Sequence, residues 1–582
     1  HKYIVLLKYI NIVEVSVLQK RVIIVGGVAG GASAATRLRR LDEEMEIILV
    51  EKGEYISYAN CGLPYYLGGV IPDREKLLVQ TPEGMRTRYN IQVRTGEEVT
   101  RVDREKREVE IRPVNTGEPY RLHYDLLLLA PGAFPVKPVI AGAEGENVFT
   151  LRNIKDTDRI KNYIHKRLNA DKRQEERPVS ALVVGAGFIG LEMAENLRQA
   201  GLCVSLVEMA DRVLAKNLDF EMAAILHQEL RAEGVSLYLS AALHRIERDT
   251  DGSWGVLADG RRIPADLVVL GVGVRPDTSL AAEAGLELGE TGGIKVNENF
   301  QTSDPHIYAV GDAIEVTNSI TGQAALLPLA GPANRQGRLV ANALAGRMVK
   351  YEGVIGVSVA KVFAMTAGSV GLTEEDLRRK ETPYFSTIIH SFSNATYYPD
   401  SSPLSIKLNF SPDGKILGAQ VVGYKGVDKR LDVLATAIKL GGEVSALSSL
   451  ELAYAPPYSS AKDPVNIAGY VAGNILSQDV EVCHWYELTR RDRINSIILD
   501  VREEGERQAG FIEDSQHIPL SKLRRKISEL PKDKEVIVYC HVGLRAYIAA
   551  RILKQHGFFV KNLNGGYLTW RTATEEQRIS GR

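Results

Sequence analysis

The chain has no excess of charge of either sign, with 72 lysines and arginines against 73 aspartates and glutamates. Without a net field, recruitment to nucleic acid or to an anionic membrane is not the default reading, and small-molecule chemistry is. Cysteine is scarce too. The four present, Cys61, Cys203, Cys483 and Cys540, are too few and too scattered for a disulfide framework or a zinc site of the CxxC type. A reducing, cytoplasmic setting without a bound metal is expected. Long apolar runs are also missing. The first 18 residues, HKYIVLLKYINIVEVSVL, are broken by Lys8 and Glu14 and fall short of the roughly 20 residues that cross a bilayer. No small-residue cleavage site follows them. Residues 1–18 therefore read as an N-terminal extension, and no membrane or nucleic-acid partner is expected.

What is present is the composition of an ordinary α/β protein, 45% hydrophobic and 25% charged with 52 glycines. At 582 residues the chain exceeds one hydrophobic core, and a usual size of about 100 to 200 residues per domain points to several units. An apolar strand (VIIV), a glycine-rich turn, a helix (ASAATRLRRL) and a second strand ending in an acid (EIILVE) form a βαβ unit beginning at Arg21. A second such unit begins at Ala181 with ALVVGAGFIG and ends its next strand at Val207 and Glu208. Near residue 350 a strand-rich stretch with Pro and Gly turns begins, followed by a helix (DKRLDVLATAIKL). It has no nucleotide fingerprint and reads as an interface domain. Short βα units restart near Asp479. The boundaries expected are 19–140 and 269–346 for a first dinucleotide-binding domain in two parts, 141–268 for a second, 347–478 for the interface domain and 479–582 for the last.

A dinucleotide fold needs glycine where the chain turns tightly, where backbone meets the pyrophosphate and where helix packs on strand. Gly185, Gly187 and Gly190 meet all three needs. Glu208, about 20 residues on, stands where an acid accepts hydrogen bonds from the ribose hydroxyls. A 2'-phosphate would be repelled there, which favours NADH over NADPH, with NADPH still possible. In the first fingerprint Gly26 and Gly31 flank Val28 where the middle glycine is usual. Glu51 supports it by ending the second strand. TSDPHIYAVGD, with Asp312 at its end, resembles the second flavin motif of flavoproteins with two dinucleotide domains, and LLLAPGAFP, around Pro131 and Gly132, resembles their interdomain crossover. FAD is thus expected at Gly26, Val28, Gly31, Glu51, Lys52, Pro131, Gly132 and Asp312, and NADH at Gly185, Gly187, Gly190, Glu208 and Gly273.

SYANCGLPYYLGG, with Cys61 about ten residues after Glu51, resembles the redox motif of the coenzyme A-disulfide reductase and NADH oxidase branch of the pyridine nucleotide disulfide oxidoreductases. The resemblance spans residues 21 to 478. Cys61 has no second cysteine nearby in sequence. A lone thiol beside a flavin can cycle through a sulfenic acid, as in oxidase or peroxidase chemistry, or through a mixed disulfide with an outside thiol such as coenzyme A. The resemblance implies coenzyme A contacts at Ser33, Arg37, Arg40, Ser57, Asn60 and Lys462. ELAYAPPYSSAKDPVN resembles the family's C-terminal motif, which implies that Tyr454 reaches a partner subunit's active site in a homodimer, with a tyrosine of SNATYYP as companion. Spacing does not separate Tyr397 from Tyr398.

CHVGLRA begins at Cys540, after the strand EVIVY and before a helix. A loop opening onto a helix N-terminus aims backbone N–H groups and the positive dipole end at the sulfur, stabilising a thiolate or persulfide. Arg545 adds a fixed positive charge. The spacing C-x-x-G-x-R, with ILDVRE, FIEDSQHIPL and LNGGYLTW, resembles the rhodanese family over residues 483 to 582. Cys203 and Cys483 lack such context and read as structural.

The fold expected is α/β throughout: two Rossmann-like domains for FAD and NADH, an α+β dimerisation domain and a rhodanese-like α/β domain. The expected reaction is NADH-dependent reduction of persulfide, polysulfide or coenzyme A disulfide through Cys61, with Cys540 supplying or accepting sulfane sulfur. Two alternatives are an NADH oxidase with an accessory rhodanese domain and a sulfur carrier serving a protein acceptor.

Overall fold

The computed structural model describes residues 20–174, 178–250 and 252–581. The segment 1–18, read above as an extension, lies outside the described residues. Strand Arg21–Val25 runs into helix Ala29–Arg39, and Glu46–Glu51 returns parallel to the first strand, with Arg21 beside Glu46 and Val25 beside Val50. Central strands such as Leu126–Leu129 read as unbroken apolar runs because the parallel sheet is covered on both faces, its core being shared with helix Ala29–Arg39 and with the antiparallel strands Glu97–Asp103 and Glu108–Pro113. The five-stranded order is Ile307–Ala309, Leu126–Leu129, Arg21–Val25, Glu46–Glu51, Gln92–Thr95. The strand of TSDPHIYAVGD thus joins the first sheet after the chain has built the second.

That second sheet is also five-stranded, in the order Ser236–Tyr238, Cys203–Val207, Ser180–Val184, Leu267–Leu270, Val148–Phe149. Ala133–Pro135 and Val274–Pro276 pair antiparallel as the link between the two units. A third sheet follows in the order Ser358–Val362, Met365–Gly371, Ile416–Gly423, Pro403–Phe410, Phe385–Phe392, antiparallel throughout. Helix Val427–Lys439 packs on it, where DKRLDVLATAIKL is expected to be helical. The last sheet, Glu481–Cys483, Val560–Leu563, Glu535–Tyr539, Ser496–Asp500, Ser515–His517, is parallel. Among the described residues no helix is long and apolar enough to cross a membrane.

The C-terminal unit is docked onto the rest. Its apolar core is continuous with that of the third sheet, from Leu404 and Leu434 to Val538 and Ala546. Polar groups fix the orientation. The Asn564 side chain accepts from the Ile388 N–H at 2.8 Å and donates to the Ser386 carbonyl at 3.1 Å, so it bonds the edge strand Phe385–Phe392 as a neighbouring backbone would. Arg231 of helix Phe220–Ala232 grips Glu576 of helix Gly566–Ile579 through both carboxylate oxygens, at 2.5 and 2.8 Å. Trp485 Nε1 donates to Glu221 at 3.3 Å.

Candidate active site

The two nucleotide loops are built alike. Gly26 and Gly185 both take φ +97°, the left-handed region that favours glycine. A Cβ on Gly31 would collide with the Gly26 carbonyl, and one on Gly190 with the Gly185 carbonyl, so helix and strand close onto each other only at glycine. At Gly187 a Cβ would meet nothing within 4 Å, which leaves that face of the loop open to a ligand. The two acids also act in parallel. Glu51 accepts from Gly27 N–H and Gly53 N–H, both at 2.8 Å. Glu208 accepts from Ala186 N–H at 2.7 Å and Ala210 N–H at 2.8 Å. Each carboxylate is thereby aimed along its glycine loop with lone pairs remaining for hydroxyl donors. Val28 replaces glycine in the first loop and begins helix Ala29–Arg39 without a side-chain cap.

The remaining expected flavin residues line the junction of the two units. Gly132 takes φ +77° and its carbonyl accepts from Asp277 N–H at 2.9 Å. Lys52 faces Asp277, with 3.5 Å between Nζ and Oδ2. Pro131 offers its carbonyl to Arg152 at 3.4 Å. Asp312 sits in the turn Gly311–Ala313, which Gln336 fixes by accepting from Gly311 N–H at 2.7 Å. Burial raises the Asp312 carboxyl to about 6 against the opposing pull of Arg152. Without a hydrogen bond of its own among the described residues, this carboxyl keeps both oxygens available to a bound hydroxyl. Gly273 takes φ +116° and its carbonyl accepts from Val136 N–H at 2.9 Å.

Cys61 is exposed and lies in the turn Asn60–Gly62, which leads into helix Leu63–Leu67. Ser57, at φ +43°, donates its N–H to the Gly27 carbonyl at 2.8 Å and so ties the cysteine segment to the first glycine loop. On the other side Leu63 and Leu67 share a core with Leu191 and Ala194 of helix Phe188–Gln199. The thiol therefore stands between the two nucleotide units. Partial desolvation of the sulfur, and then the carboxylates of Glu192 and Asp312, raise its pKa above the ordinary range. Cys203 is exposed at the start of its strand, and burial pushes the Cys483 thiol up to about 12.

Two of the three candidate tyrosines are brought together. The Tyr397 and Tyr454 hydroxyls lie 3.0 Å apart, and no hydroxyl partner is seen for Tyr398 among the described residues. Tyr397, Tyr454 and Tyr458 are 75%, 48% and 72% exposed, an aromatic surface on the third sheet's unit. Among the groups expected to meet coenzyme A, Ser33 Oγ donates to Asn334 Oδ1 at 2.5 Å and Arg37 donates to Asn342 Oδ1 at 3.3 Å. Both asparagines lie on helix Ala330–Leu344, which also carries Arg338. Arg40, Asn60 and Lys462 are exposed. Ser33, Arg37 and Arg40 share the helix that leaves the first loop, whereas Tyr454 and Lys462 belong to another unit.

In the C-terminal unit Cys540 is buried, and Gly543 N–H donates to its sulfur at 3.1 Å. Gly543, at φ +107°, starts helix Leu544–Gln555, so Arg545 falls inside the first turn, earlier than AYIAARILKQHG alone suggests. LNGGYLTW closes over the loop. Tyr567 N–H donates to the Cys540 carbonyl at 2.8 Å and Leu568 N–H to that of His541 at 3.0 Å. A Cβ on Gly566 would stand 2.8 Å from both carbonyl oxygens. Beneath the loop Asp500 accepts from Arg502 Nη2 and Tyr539 Oη, each at 2.8 Å.

Two groups at the first site escape the sequence reading. Arg152 lies within electrostatic reach of Asp312 and Tyr58. Burial, with Glu195 adding to it, lifts the Glu192 carboxyl to about 7. Glu192 is visible in GLEMAEN only as one acid among helix residues, and Arg152 follows a strand without any motif.

Residues 20–343 match the family "Pyridine nucleotide-disulphide oxidoreductase", 357–464 its dimerisation domain and 486–573 the "Rhodanese-like domain". The chain is 36% identical over 454 residues to a coenzyme A disulfide reductase of Staphylococcus epidermidis, covering 78% of this chain and 99% of that protein. The crystal structure of reduced Bacillus anthracis CoADR-RHD superposes with a TM-score of 0.92 at 49% identity, over 96% of this chain and 99% of that one. An NAD-dependent persulfide reductase from A. fulgidus superposes with a TM-score of 0.87 at 39% identity, over 94% and 100%.

Proposed function

Because the chain belongs to the pyridine nucleotide-disulphide oxidoreductase family and ends in a rhodanese-like domain, we propose that it is a cytoplasmic, homodimeric, FAD-dependent NADH:persulfide, polysulfide or coenzyme A-disulfide reductase. The observation that carries this reading is the position of Cys61, a lone exposed thiol tied to the first glycine loop at Ser57 and packed against the second nucleotide unit. FAD, when bound, supplies two-electron transfer between a nicotinamide and sulfur. Gly26, Val28, Gly31, Glu51, Lys52, Pro131, Gly132 and Asp312 would hold it, and Gly185, Gly187, Gly190, Glu208 and Gly273 would hold NADH.

The chain's own part is sulfur chemistry. Cys61 thiolate attacks one sulfur of a coenzyme A disulfide or persulfide, the S–S bond breaks, and a thiolate or hydrosulfide leaves. Reduction of the resulting mixed disulfide returns Cys61 to the thiolate and releases the second thiol. The Tyr397–Tyr454 pair, carried to Cys61 by a second copy, gives a proton or a hydrogen bond to the departing sulfur. Ser33, Arg37, Arg40, Ser57, Asn60 and Lys462 orient coenzyme A, the cations meeting its phosphates. Cys540, with Arg545 beside it, takes sulfane sulfur from polysulfide or persulfide and presents it for reduction.

The test is anaerobic NADH consumption with sulfide release, using coenzyme A persulfide and polysulfide, for the wild type, Cys61→Ser and Cys540→Ser. Loss of sulfide release in Cys61→Ser, with Cys540→Ser impaired mainly on polysulfide, is the expected outcome. NADH oxidation no faster than with oxygen alone would overturn the reductase reading.

A further inference from the structure

Arg545 is not a free cation. Its Nη1 donates to Glu506 Oε2 and its Nη2 to Glu506 Oε1, each at 2.6 Å. Glu506 is held in turn, since Oε2 accepts from the Glu503 N–H at 3.1 Å in a reciprocal cap on the turn Glu504–Gln508. The pair holds the Glu506 carboxyl below its usual range and the guanidinium above. Two other cations, Arg571 and Arg502, lie within electrostatic reach of the loop at His541. Burial, then these arginines and Arg545, lower the His541 ring below its ordinary range against the opposing pull of Glu506. Val542 and Leu544 are apolar, Arg502 is bonded to Asp500, and Arg571 is exposed on the closing helix, where water screens it.

A guanidinium fork is the side chain best matched to a planar or tetrahedral oxyanion bound through two oxygens. In this loop the fork is filled from within the protein and the pair is neutral. A thiosulfate ion would meet an occupied fork and the Glu506 carboxylate. A persulfide or polysulfide carries its reactive charge on sulfur and needs no such fork, and the sulfur it would join, Cys540 Sγ, already accepts from the Gly543 N–H. We propose that Glu506 determines donor specificity: by occupying Arg545 it turns the Cys540 loop from oxyanion-borne donors of the thiosulfate class towards thiol-borne persulfides and polysulfides. This rests on the reading of Cys540 as a sulfur carrier and extends it to the donor class. In the step itself, Cys540 thiolate attacks the outer sulfur of the donor, a Cys540 persulfide forms and the donor S–S bond breaks. The electron pair leaves on the carrier thiolate when the donor is a thiol persulfide, on hydrosulfide or a shortened polysulfide when it is an inorganic polysulfide, and on sulfite when it is thiosulfate. No external oxidant or reductant is needed.

The experiment follows thiocyanate formation from cyanide by the full chain without NADH, with inorganic polysulfide or thiosulfate as donor. Glu506→Gln keeps an amide oxygen for the cap and removes the charge, Glu506→Asp shortens the reach, and Cys540→Ser gives the uncatalysed rate. The ratio of kcat/KM for thiosulfate to that for polysulfide should rise at least about 10-fold in Glu506→Gln, the size of one charge-assisted contact. The gain should appear mainly as a lower thiosulfate KM, with Glu506→Asp intermediate. A ratio unchanged in Glu506→Gln, or a wild type that uses thiosulfate as well as polysulfide, overturns the role of Glu506 alone. A wild type no faster than Cys540→Ser with polysulfide overturns the sulfur-carrier reading and the inference with it.

Discussion

Replacing Glu576 with glutamine should loosen the C-terminal unit by an amount that depends on pH. Glu576 is 2% exposed and Arg231 is 26% exposed. His227, wholly buried, stands 3.3 Å away, and its Nε2 accepts from Val213 N–H, which leaves the proton on the nitrogen facing Glu576. Burial alone would raise the Glu576 carboxyl, but the two hydrogen bonds from Arg231 and the nearby His227 ring outweigh it and hold the group at about 2, against an ordinary 4.5. That difference corresponds to at most about 3 kcal/mol of folded-state stability at neutral pH. Water at the half-open Arg231 reduces it, so about 1–2 kcal/mol is expected. Because the folded value lies below the ordinary one, the contribution is complete well above pH 4.5 and fades as pH falls through 4.5 towards 2. Urea unfolding of wild type and Glu576→Gln, read by tryptophan fluorescence, measures it, since Trp485 and Trp570 both lie in the C-terminal unit. Hydrogen exchange over Gly566–Ile579 should accelerate in the variant. The gap between the two proteins should narrow by roughly a third to a half between pH 7 and pH 3.5. Equal stability at pH 7, or a gap that widens in acid, would refute the reasoning.

Two further outcomes follow from the geometry. Gly187→Ala meets open space, so the fold should keep its melting temperature while KM for NADH rises about 10-fold from backbone withdrawn from the pyrophosphate; Gly190→Ala, which drives a methyl into the Gly185 carbonyl, should cost about 1–3 kcal/mol or more in unfolding. Tyr397→Phe should lower kcat for sulfide release at least about 10-fold while Tyr398→Phe stays within about 2-fold, and equal losses would remove the Tyr397–Tyr454 hydroxyl contact from the mechanism.

The nucleotide loops were legible because their constraints are local. Gly185 and Gly190 lie five residues apart, and the acid that completes the loop, Glu208, directly follows the very next strand. The Cys540 loop is local in the same way, lying between strand Glu535–Tyr539 and helix Leu544–Gln555. Tyr397 and Tyr398 are adjacent outside any strand or helix, so no period says which side chain turns inward, and only Tyr454, 57 residues on, separates them. Glu506 and Arg545 are 39 residues apart, and Arg231 and Glu576 are 345 apart. Glu506, Arg231 and Glu576 each read as a solvated charge on a helix face until the tertiary fold supplies a partner, and Arg545, placed at the loop by its motif, does not reveal there that Glu506 holds it.

The strand Pro403–Phe410 carries that lesson furthest. PLSIKLNF alternates apolar Leu404, Ile406 and Leu408 with polar Ser405, Lys407 and Asn409, the pattern of a strand with one face in water. Yet all six are buried. Lys407 Nζ lies 2.8 Å from Asp219, 2.5 Å from Glu221 and 2.5 Å from Glu374, and Glu221 also receives the Trp485 indole. The polar face is therefore the seam where the second nucleotide unit, the third sheet and the C-terminal unit meet. An apolar seam would tolerate sliding, whereas a buried ammonium shared among three carboxylates tolerates only the arrangement that keeps every partner. Removing one partner leaves the others buried and uncompensated, so the seam holds the C-terminal unit, and with it the Cys540 loop, in one orientation relative to the nucleotide units.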